Sequence, residues 1–168
     1  TQAEAIARPV QKIQDPNRDA GFQLIKNEGS DGSKTTIFRI QYQNGIEKTR
    51  NIVSQQITAQ PIAKVVVVGT RINYSANPVE LGRQMAAQRG WVGDQWTSLY
   101  QLWMRESGWN PNSRNVWSGA CGIPQAYPCS KITDMSPAGQ ITWGLNYVAG
   151  RYGDPTTAWA HFLSYGSY

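Results

Sequence analysis

The tryptophans of this chain are confined to one part of it. All seven lie after residue 77, whereas the residues before that point hold only four aromatic side chains. Charge is divided as well: residues 1–77 carry ten Lys or Arg against six Asp or Glu, and residues 78–168 carry six against five. We therefore expect two domains of different composition, with aromatic packing or an aromatic cleft in the second.

The first domain is predicted to be an antiparallel β module. Residues 35–42 (TTIFRIQY) alternate as a half-buried strand does, and residues 48–53 and 64–68 are also predicted strands. Asn44-Gly45 is the signal of a tight hairpin turn. Residues 1–7 are expected to be a loose lead-in.

One carboxyl group lies on the apolar face of a predicted helix. The segment 94–105 (DQWTSLYQLWMR) has apolar residues at the spacing of one helix face. They are Trp96, Leu99, Tyr100 and Trp103. Glu106 continues this face, and Gly108 ends the helix. Aromatic burial and the helix dipole would both raise the pKa of Glu106, as a general acid requires. The alternative is a solvated glutamate at a frayed helix end.

Three more helices are predicted from their start signals, in which a capping residue precedes a proline. These signals are Asn77-Pro78, Ser136-Pro137 and Asp154-Pro155. Asp94 is expected to cap the helix that carries Glu106. The predicted fold class is α+β: a β domain at residues 1–70, a linker at 71–77 and an all-α domain at 78–168.

The two cysteines, Cys121 and Cys129, flank a loop that contains prolines. Their spacing alone leaves two free thiols possible. Two cysteines and one distant histidine, His161, make a poor ligand set, so neither a metal site nor a cofactor is expected. We favour a disulfide, and with it an oxidising, extracellular setting.

The stretch from Glu106 to Pro128 resembles the soluble lytic transglycosylases. Glu106-Ser107 and the run GACGIPQ at residues 119–125 are similar to that family's Glu-Ser and Gly-Ala-x-Gly-Leu-Met-Gln motifs. The run GLNYV at residues 144–148 is similar to its Gly-x-x-Tyr-Leu motif. The resemblance covers about residues 78–168 and implies a lysozyme-like fold.

Three details depart from that pattern, and one of them is a loop about one residue longer than the family's. Pro124 stands where the family has methionine, and the family's terminal Tyr-Asn-Ala-Gly motif is replaced by Trp159-Ala160-His161-Phe162. This ending is more similar to the branch that contains the resuscitation-promoting factors. The departures concern contacts at the far end of the cleft and leave the role of Glu106 unchanged.

The resemblance implies that Glu106 cleaves peptidoglycan glycan strands as an acid and then a base, giving anhydro-N-acetylmuramic acid ends. By the same resemblance, Gln125, Ser118 and Tyr147 would contact sugar or support Glu106. Their alternative roles are a loop hydrogen bond, a turn and core packing. Trp109 and Trp117 flank the loop and are candidates for stacking on sugar faces, or for the core. A hydrolytic muramidase and a non-catalytic wall adhesin are the alternative functions.

Five glycines at positions 21, 29, 32, 45 and 69 punctuate the first domain. Their setting in EGSDG, YQNGIEKTR and VVVVGT resembles the five-glycine (G-five) domain. That resemblance implies two small antiparallel sheets and binding of N-acetylglucosamine-containing polymers. The alternative is a spacer whose glycines only supply turns.

Charge and hydropathy restrict the partners and the compartment. The basic first domain suits an anionic wall or membrane surface, but it has no dense Lys/Arg cluster, which argues against nucleic acid. The longest apolar run, residues 65–69, is too short to span a membrane. No signal peptide is present, so the chain is expected to be a mature or truncated form of a secreted or wall-associated protein.

Overall fold

The computed structural model describes residues 1–168 as six β-strands followed by four α-helices. The strands are β1 (Gln2–Ile6), β2 (Val10–Asp19), β3 (Gln23–Asn27), β4 (Gly32–Gln43), β5 (Ile46–Ala59) and β6 (Lys64–Arg71). The helices are α1 (Pro78–Gln88), α2 (Asp94–Ser107), α3 (Pro137–Tyr152) and α4 (Pro155–Tyr165), and a short 3-10 helix spans Cys129–Lys131. None of the helices combines the length and the apolar character needed to cross a membrane.

The chain divides into two compact units. Residues 1–14 and 23–68 form one unit, and residues 15–22 and 69–168 form the other. We call them the β unit and the helical unit. An antiparallel-rich β module is therefore followed by a four-helix region. The predicted boundary after residue 70 stays a prediction.

The strands form two three-stranded sheets, with the orders β1-β4-β5 and β2-β6-β3. All three predicted strands are present and longer than expected. The expected loose lead-in is wrong, because Gln2–Ile6 pairs antiparallel with Gly32–Thr36 across one edge of β4. Asn44 and Gly45 form the hairpin turn between β4 and β5, with positive φ values of 52° and 75° as such a two-residue turn requires.

The β unit buries very few side chains. Thr36 and Val66 are its only buried ones, and β5 is exposed over its whole length. The alternation predicted for residues 35–42 is visible in part, since Phe38 and Ile40 are half-buried between exposed neighbours. Backbone pairing from Ser33 to Gln43 along β5 provides most of the order in this sheet.

The helices begin where their capping signals predicted. The side chains of Asn77, Ser136 and Asp154 each accept a hydrogen bond from the backbone three residues later, at the starts of α1, α3 and α4. The prediction that Asp94 caps α2 is wrong. Gly93 occupies the cap position, and Asp94 is the first helical residue, where its charge complements the helix dipole.

The helical unit has a continuous hydrophobic core. Eleven buried residues form it: Leu81, Ala86, Leu99, Leu102, Trp103, Trp109, Ile123, Ile141, Leu145, Val148 and Ala158. Two glycines allow the large rings into this core, because a Cβ at Gly144 would meet Trp103 and a Cβ at Gly82 would meet Trp109. Substitution at either glycine would therefore displace a core tryptophan.

The segment before α1 packs on the helical unit. Ile72 and Ala76 lie against its core. The backbone amide of Asn73 donates to Oε1 of the buried Gln84 at 2.7 Å. Residues 71–77, which the sequence indicated as a linker, are thus ordered by contacts with α1.

Candidate active site

Glu106 lies in the last turn of α2, on the face that enters the core. Leu99 and Trp103 of the same face are fully buried, and the Glu106 side chain is half-buried. Gly108 ends the helix in the left-handed conformation, with φ 62°. The apolar spacing that forms α2 therefore also carries this carboxyl group out of bulk water.

Burial raises the pKa of Glu106 from 4.5 to about 7. No hydrogen bond or cationic partner contributes to this shift, so the charged form loses hydration without compensation. The protonated and ionised forms are therefore both available near neutral pH, as a group that first donates and then accepts a proton needs.

Hydrogen bonds have the opposite effect on the pKa values of three other carboxyl groups of this region. The hydrogen bond from Arg83 lowers the pKa of Glu80. Backbone hydrogen bonds lower the pKa values of Asp134 and Asp154. Asp94 is exposed. No group of three or more His, Cys, Asp or Glu side chains could hold a metal ion. Glu106 is therefore the carboxyl group of this region whose pKa burial raises towards neutral pH.

Two polar side chains fix the loop that faces the end of α2. Ser107 Oγ donates to the carbonyl of Ile123 at 2.7 Å. The buried Gln140 of α3 accepts from the Ile123 amide at 2.8 Å and donates to the carbonyls of Pro111 and Met135 at 3.1 and 2.8 Å. Ile123 is thus held on both its backbone groups, which sets the position of the loop relative to Glu106.

Tyr168 forms a further link between α2 and this loop. Its hydroxyl donates to the Pro124 carbonyl at 2.7 Å and accepts from Trp103 Nε1 at 2.9 Å. Burial, and then the nearby charge of Glu106, raise the pKa of Tyr168 well above its usual range. Tyr168 therefore stays a neutral phenol that satisfies both groups.

A groove of about 230 Å³ opens beside this arrangement. Pro124, Gln125, Ala126, Tyr127, Lys131, Trp143, Tyr147 and Tyr168 line it. Two of the predicted substrate contacts, Gln125 and Tyr147, thus line the same groove, whereas Glu106 is not among its lining residues. Tyr168 is the lining residue whose pKa the charge of Glu106 helps to raise. Tyr147 packs parallel to Trp143, with ring centroids 5.3 Å apart.

The polar loop residues also have structural partners. Gln125, with φ 52°, donates from Nε2 to the Gly122 carbonyl at 2.9 Å. Ser118 Oγ accepts from the Ala120 amide at 3.2 Å, and its side chain does not line the groove. The contact of Ser118 is thus the one expected of a turn residue, which was its alternative role. Gln125 both stabilises the loop and lines the groove.

The two candidate stacking tryptophans have opposite environments. Trp109 is 3% exposed, packs on Trp103 and donates from Nε1 to the Tyr100 carbonyl. Its proposed stacking on sugar is therefore corrected, because neither ring face is open. Trp117 is 96% exposed in the loop and remains able to stack on a ligand.

Cys121 and Cys129 are joined by a disulfide, as the sequence favoured. The bond closes the loop that contains Pro124 and Gln125, and Cys121 also bridges to Arg114 and Ala126 in short antiparallel pairs. The segment opposite Glu106 is therefore fixed covalently and through its backbone.

Sequence reasoning did not single out Gln140, Tyr168 or Trp143. The partners of Gln140 and Tyr168 are mainly backbone carbonyls in distant loops, for which no local pattern exists. Trp143 precedes the GLNYV motif by one residue, and its position four residues before Tyr147 was a usable signal, because residues four apart share a helix face.

Comparison with known proteins identifies the first part of the chain. The strands define a small antiparallel β module that precedes a helical region. Residues 1–71 match the family model of the G5 domain, so this part of the chain is a G5 domain. The glycines fit that assignment: Gly29 has φ 65°, and a Cβ there would strike the Ile62 backbone.

Two solved structures are similar to the same region. The crystal structure of HP0197-G5 is 19% identical, covers 40% of this chain and 88% of its own, and has a TM-score of 0.38. The IgA1 protease G5 domain structure is 30% identical, covers 42% and 82%, and has a TM-score of 0.28. No match was found among curated proteins.

Proposed function

We propose that the helical unit is a peptidoglycan lytic transglycosylase with a lysozyme-like fold, and that the G5 domain holds the enzyme on the cell wall. The observation that carries this proposal is a half-buried Glu106 with a pKa of about 7, whereas hydrogen bonds lower the pKa values of Glu80, Asp134 and Asp154. The motif resemblance around Glu106 supplies the substrate class.

The reaction requires two proton transfers at one carboxyl group. Protonated Glu106 donates its proton to the oxygen that bridges N-acetylmuramic acid and N-acetylglucosamine, and this bond breaks. The Glu106 carboxylate then takes the proton of the muramic acid C6 hydroxyl, whose oxygen attacks the anomeric carbon. The product is a 1,6-anhydro ring, and Glu106 is protonated again.

Several features of the structure are consistent with sugar binding near Glu106 and with attachment to the cell wall. Gln125 and Tyr147 line the groove and would contact sugar in this scheme. Trp117 is exposed and offers a ring face. The disulfide and the G5 domain both fit a secreted or wall-associated protein. The basic excess of residues 1–77 would favour an anionic wall.

Two observations favour alternative functions, which the experiment must therefore distinguish. The lowered pKa of Asp134 leaves an ionised carboxylate that a hydrolytic muramidase would need as its second group. The G5 domain favours a non-catalytic adhesin, in which both parts only bind glycan.

The test is digestion of purified peptidoglycan by the parent chain and by Glu106→Gln, with mass spectrometry of the released muropeptides. We expect anhydro products from the parent and a loss of about 100- to 10,000-fold in the variant, because the amide neither donates nor accepts the required proton. Asp94→Asn is the matched control, since it removes an exposed carboxyl from the same helix.

Each outcome separates the candidate functions. The Glu106→Gln protein should keep or raise its melting temperature, because a poorly hydrated carboxylate is removed. A folded variant that releases anhydro products at the parent rate rules out the assignment of Glu106. Reducing ends instead of anhydro ends indicate a muramidase, and binding without release indicates an adhesin.

A further inference from the structure

A basic groove of about 350 Å³ lies on the helical unit. Three arginines line it: Arg18 near the end of β2, Arg71 at the end of β6 and Arg83 in α1. It shares no lining residue with the groove beside Tyr168, and Glu106 lines neither. Three segments that are distant in sequence thus bring guanidinium groups to one place, which no run of Lys or Arg in the sequence reveals.

The three arginines keep donor groups that the chain itself does not use. Arg71 donates from Nε to Asp19 Oδ1 at 2.7 Å, and its two terminal amino groups make no further hydrogen bond. Arg83 binds the Glu80 carboxylate through Nε and Nη2, at 2.8 and 2.7 Å, which leaves Nη1 unused. Arg18 takes part in none of the ion pairs of the chain. Each side chain therefore has donors left for a ligand.

Contacts within the chain hold these guanidinium groups in place. Arg18 lies over the Phe22 ring, with its Cζ 4.9 Å from the ring centre. A Cβ at Gly21 would meet Nη1 of Arg83, and the backbone at Gly21 has a φ of 93°. The positive φ and the close approach both select glycine at this position. The groove is thus formed before a ligand arrives, which reduces the side-chain freedom that binding would cost.

The balance of charge in the groove favours an anion. The three arginines outnumber the two carboxylates, Asp19 and Glu80, and each carboxylate already accepts hydrogen bonds from one of the arginines. An oxyanion can use the donors that remain, because guanidinium groups bind phosphate and carboxylate oxygens. Arginines that come from three segments suit the tetrahedral phosphate better than the planar carboxylate, since the oxygens of phosphate point in more directions.

The surface around the groove is polar. Arg18 and Arg71 are exposed, whereas Phe22, the one aromatic residue of the lining, is half-buried. Proteins that lie on a membrane combine basic residues with apolar side chains that enter the lipid. The lining of this groove has no exposed apolar side chain. The phosphate of a hydrophilic polymer therefore fits the groove better than a lipid headgroup does.

We propose that this groove binds a phosphate group carried by an extracellular polymer of phosphodiester-linked units, with poly(glycerol phosphate) as the simplest such chain. The site goes beyond the proposed function, because binding of phosphate needs no chemistry at Glu106. Its consequence is that the protein is retained where phosphate-containing polymers are present, whether or not it cleaves glycan strands there.

The experiment titrates the full chain with a short glycerol phosphate oligomer in a calorimeter. Arg18→Gln is the main variant, because Arg18 is exposed and has no ion-pair partner, so that no carboxylate is left without its cation. We expect the affinity to fall about tenfold, as for the loss of one hydrogen bond to a charged group. Arg71→Gln, which removes a second exposed guanidinium, should cause a loss of similar size.

The matched control is Arg39→Gln. Arg39 is an exposed arginine of β4 that does not line the groove, and its replacement removes the same charge from the chain. We expect its effect on affinity to stay below about twofold, because salt screens charges that do not contact the ligand. Melting curves of all three variants show whether each one is folded.

Three further ligands identify the source of the phosphate. They are inorganic phosphate, triglutamate, and vesicles of phosphatidylglycerol in phosphatidylcholine. We expect inorganic phosphate to bind more weakly than the oligomer, and triglutamate and the vesicles to show no binding that depends on Arg18. Arg18-dependent binding of the vesicles would instead assign a lipid headgroup, and Arg18-dependent binding of triglutamate would assign a peptide carboxylate. Either result overturns the proposal, as does inorganic phosphate that binds as tightly as the oligomer.

The remaining outcomes separate this site from the proposed function. The proposal is overturned if the oligomer does not bind, or if Arg18→Gln and Arg39→Gln weaken its binding equally. Release of muropeptides from phosphate-free peptidoglycan should be the same for Arg18→Gln and for the parent chain. A parent chain that binds the oligomer through Arg18 but releases no muropeptides retains the phosphate site and loses the transglycosylase assignment.

Discussion

The β unit and the helical unit are stabilised in different ways. In the β unit, the hairpin of β4 and β5 is paired from Ser33 to Gln43, yet β5 is exposed over its whole length. In the helical unit, all four helices contribute buried residues to a core in which Trp103 and Leu99 are completely inaccessible. One unit therefore depends on backbone hydrogen bonds, and the other on apolar burial.

This difference shows that apolar residues in a sequence do not by themselves locate a core. Ile46, Ile52 and Ile57 of β5 are all more than half exposed, although each is as apolar as the core leucines. What separates the two cases is whether a second layer covers the element. The helices cover one another, and the open face of β5 has no such layer.

The largest effect that tests this comparison is a pair of truncations. Leu99→Ala removes a fully buried side chain and should lower the free energy of unfolding by about 2–5 kcal/mol. Ile52→Ala removes one that is 58% exposed and should cost less than about 1 kcal/mol. Urea unfolding measures both, with tryptophan fluorescence reporting on the helical unit, which contains every tryptophan. Equal losses would contradict the comparison.

A polar substitution tests how the helical unit holds its loop. Gln140→Leu leaves the Ile123 amide and the carbonyls of Pro111 and Met135 without their partner. We expect a loss of about 1–3 kcal/mol for the buried groups. Activity on peptidoglycan should fall with it, because the loop beside Glu106 is released. Gln101→Leu, on the exposed side of α2, is the control and should change neither quantity.

A pair of truncations tests whether the segment before α1 stabilises the helices. A fragment of residues 69–168 retains the amide of Asn73, which bonds to the buried Gln84, whereas a fragment of residues 78–168 does not. We expect the shorter fragment to be less stable by about 1–2 kcal/mol, because Gln84 Oε1 loses a partner and Ile72 no longer packs on the core. Melting curves of the two fragments measure this difference in stability. Identical curves would show that residues 69–77 do not stabilise the helices.

The last prediction concerns the pH dependence of stability and activity. Because the pKa of Glu106 is about 7 in the folded state and 4.5 in the reference state, folding favours its protonated form. That contribution is complete below pH 4.5 and is lost as the pH rises through about 7. The urea midpoint of the parent should therefore fall relative to that of Glu106→Gln over this range. Peptidoglycan cleavage should decline above about pH 7, and parallel midpoints at every pH would contradict the assignment.

Local signals predicted the helices well. The starts at Asn77, Ser136 and Asp154 depend only on a capping side chain and the proline after it, and both are readable in the sequence. The apolar spacing of residues 94–105 predicted the helix of Glu106. The position of Glu106 on the apolar face of that helix predicted that its pKa would be raised. These features involve residues within one or two turns of each other.

Features that depend on contacts between distant parts of the chain could not be predicted from the sequence. Strand β1 acquires its order from β4, about thirty residues away, so residues 2–6 read as an unstructured lead-in. Trp109 and Trp117 flank the same loop with similar neighbours, but the gap created by Gly82 admits only Trp109 to the core. Gln140 and Tyr168 bind backbone groups of the loop, and backbone groups carry no residue-specific signal.

The exposure of β5 also affects how the two units respond to temperature. The heat-capacity change of unfolding grows mainly with the apolar surface that becomes hydrated. Strands that are already in contact with water contribute little to it, whereas the tryptophan-rich core of the helical unit contributes much. The stability of the G5 domain should consequently vary only weakly with temperature, and that of the helical unit should follow a steeply curved profile with a defined optimum.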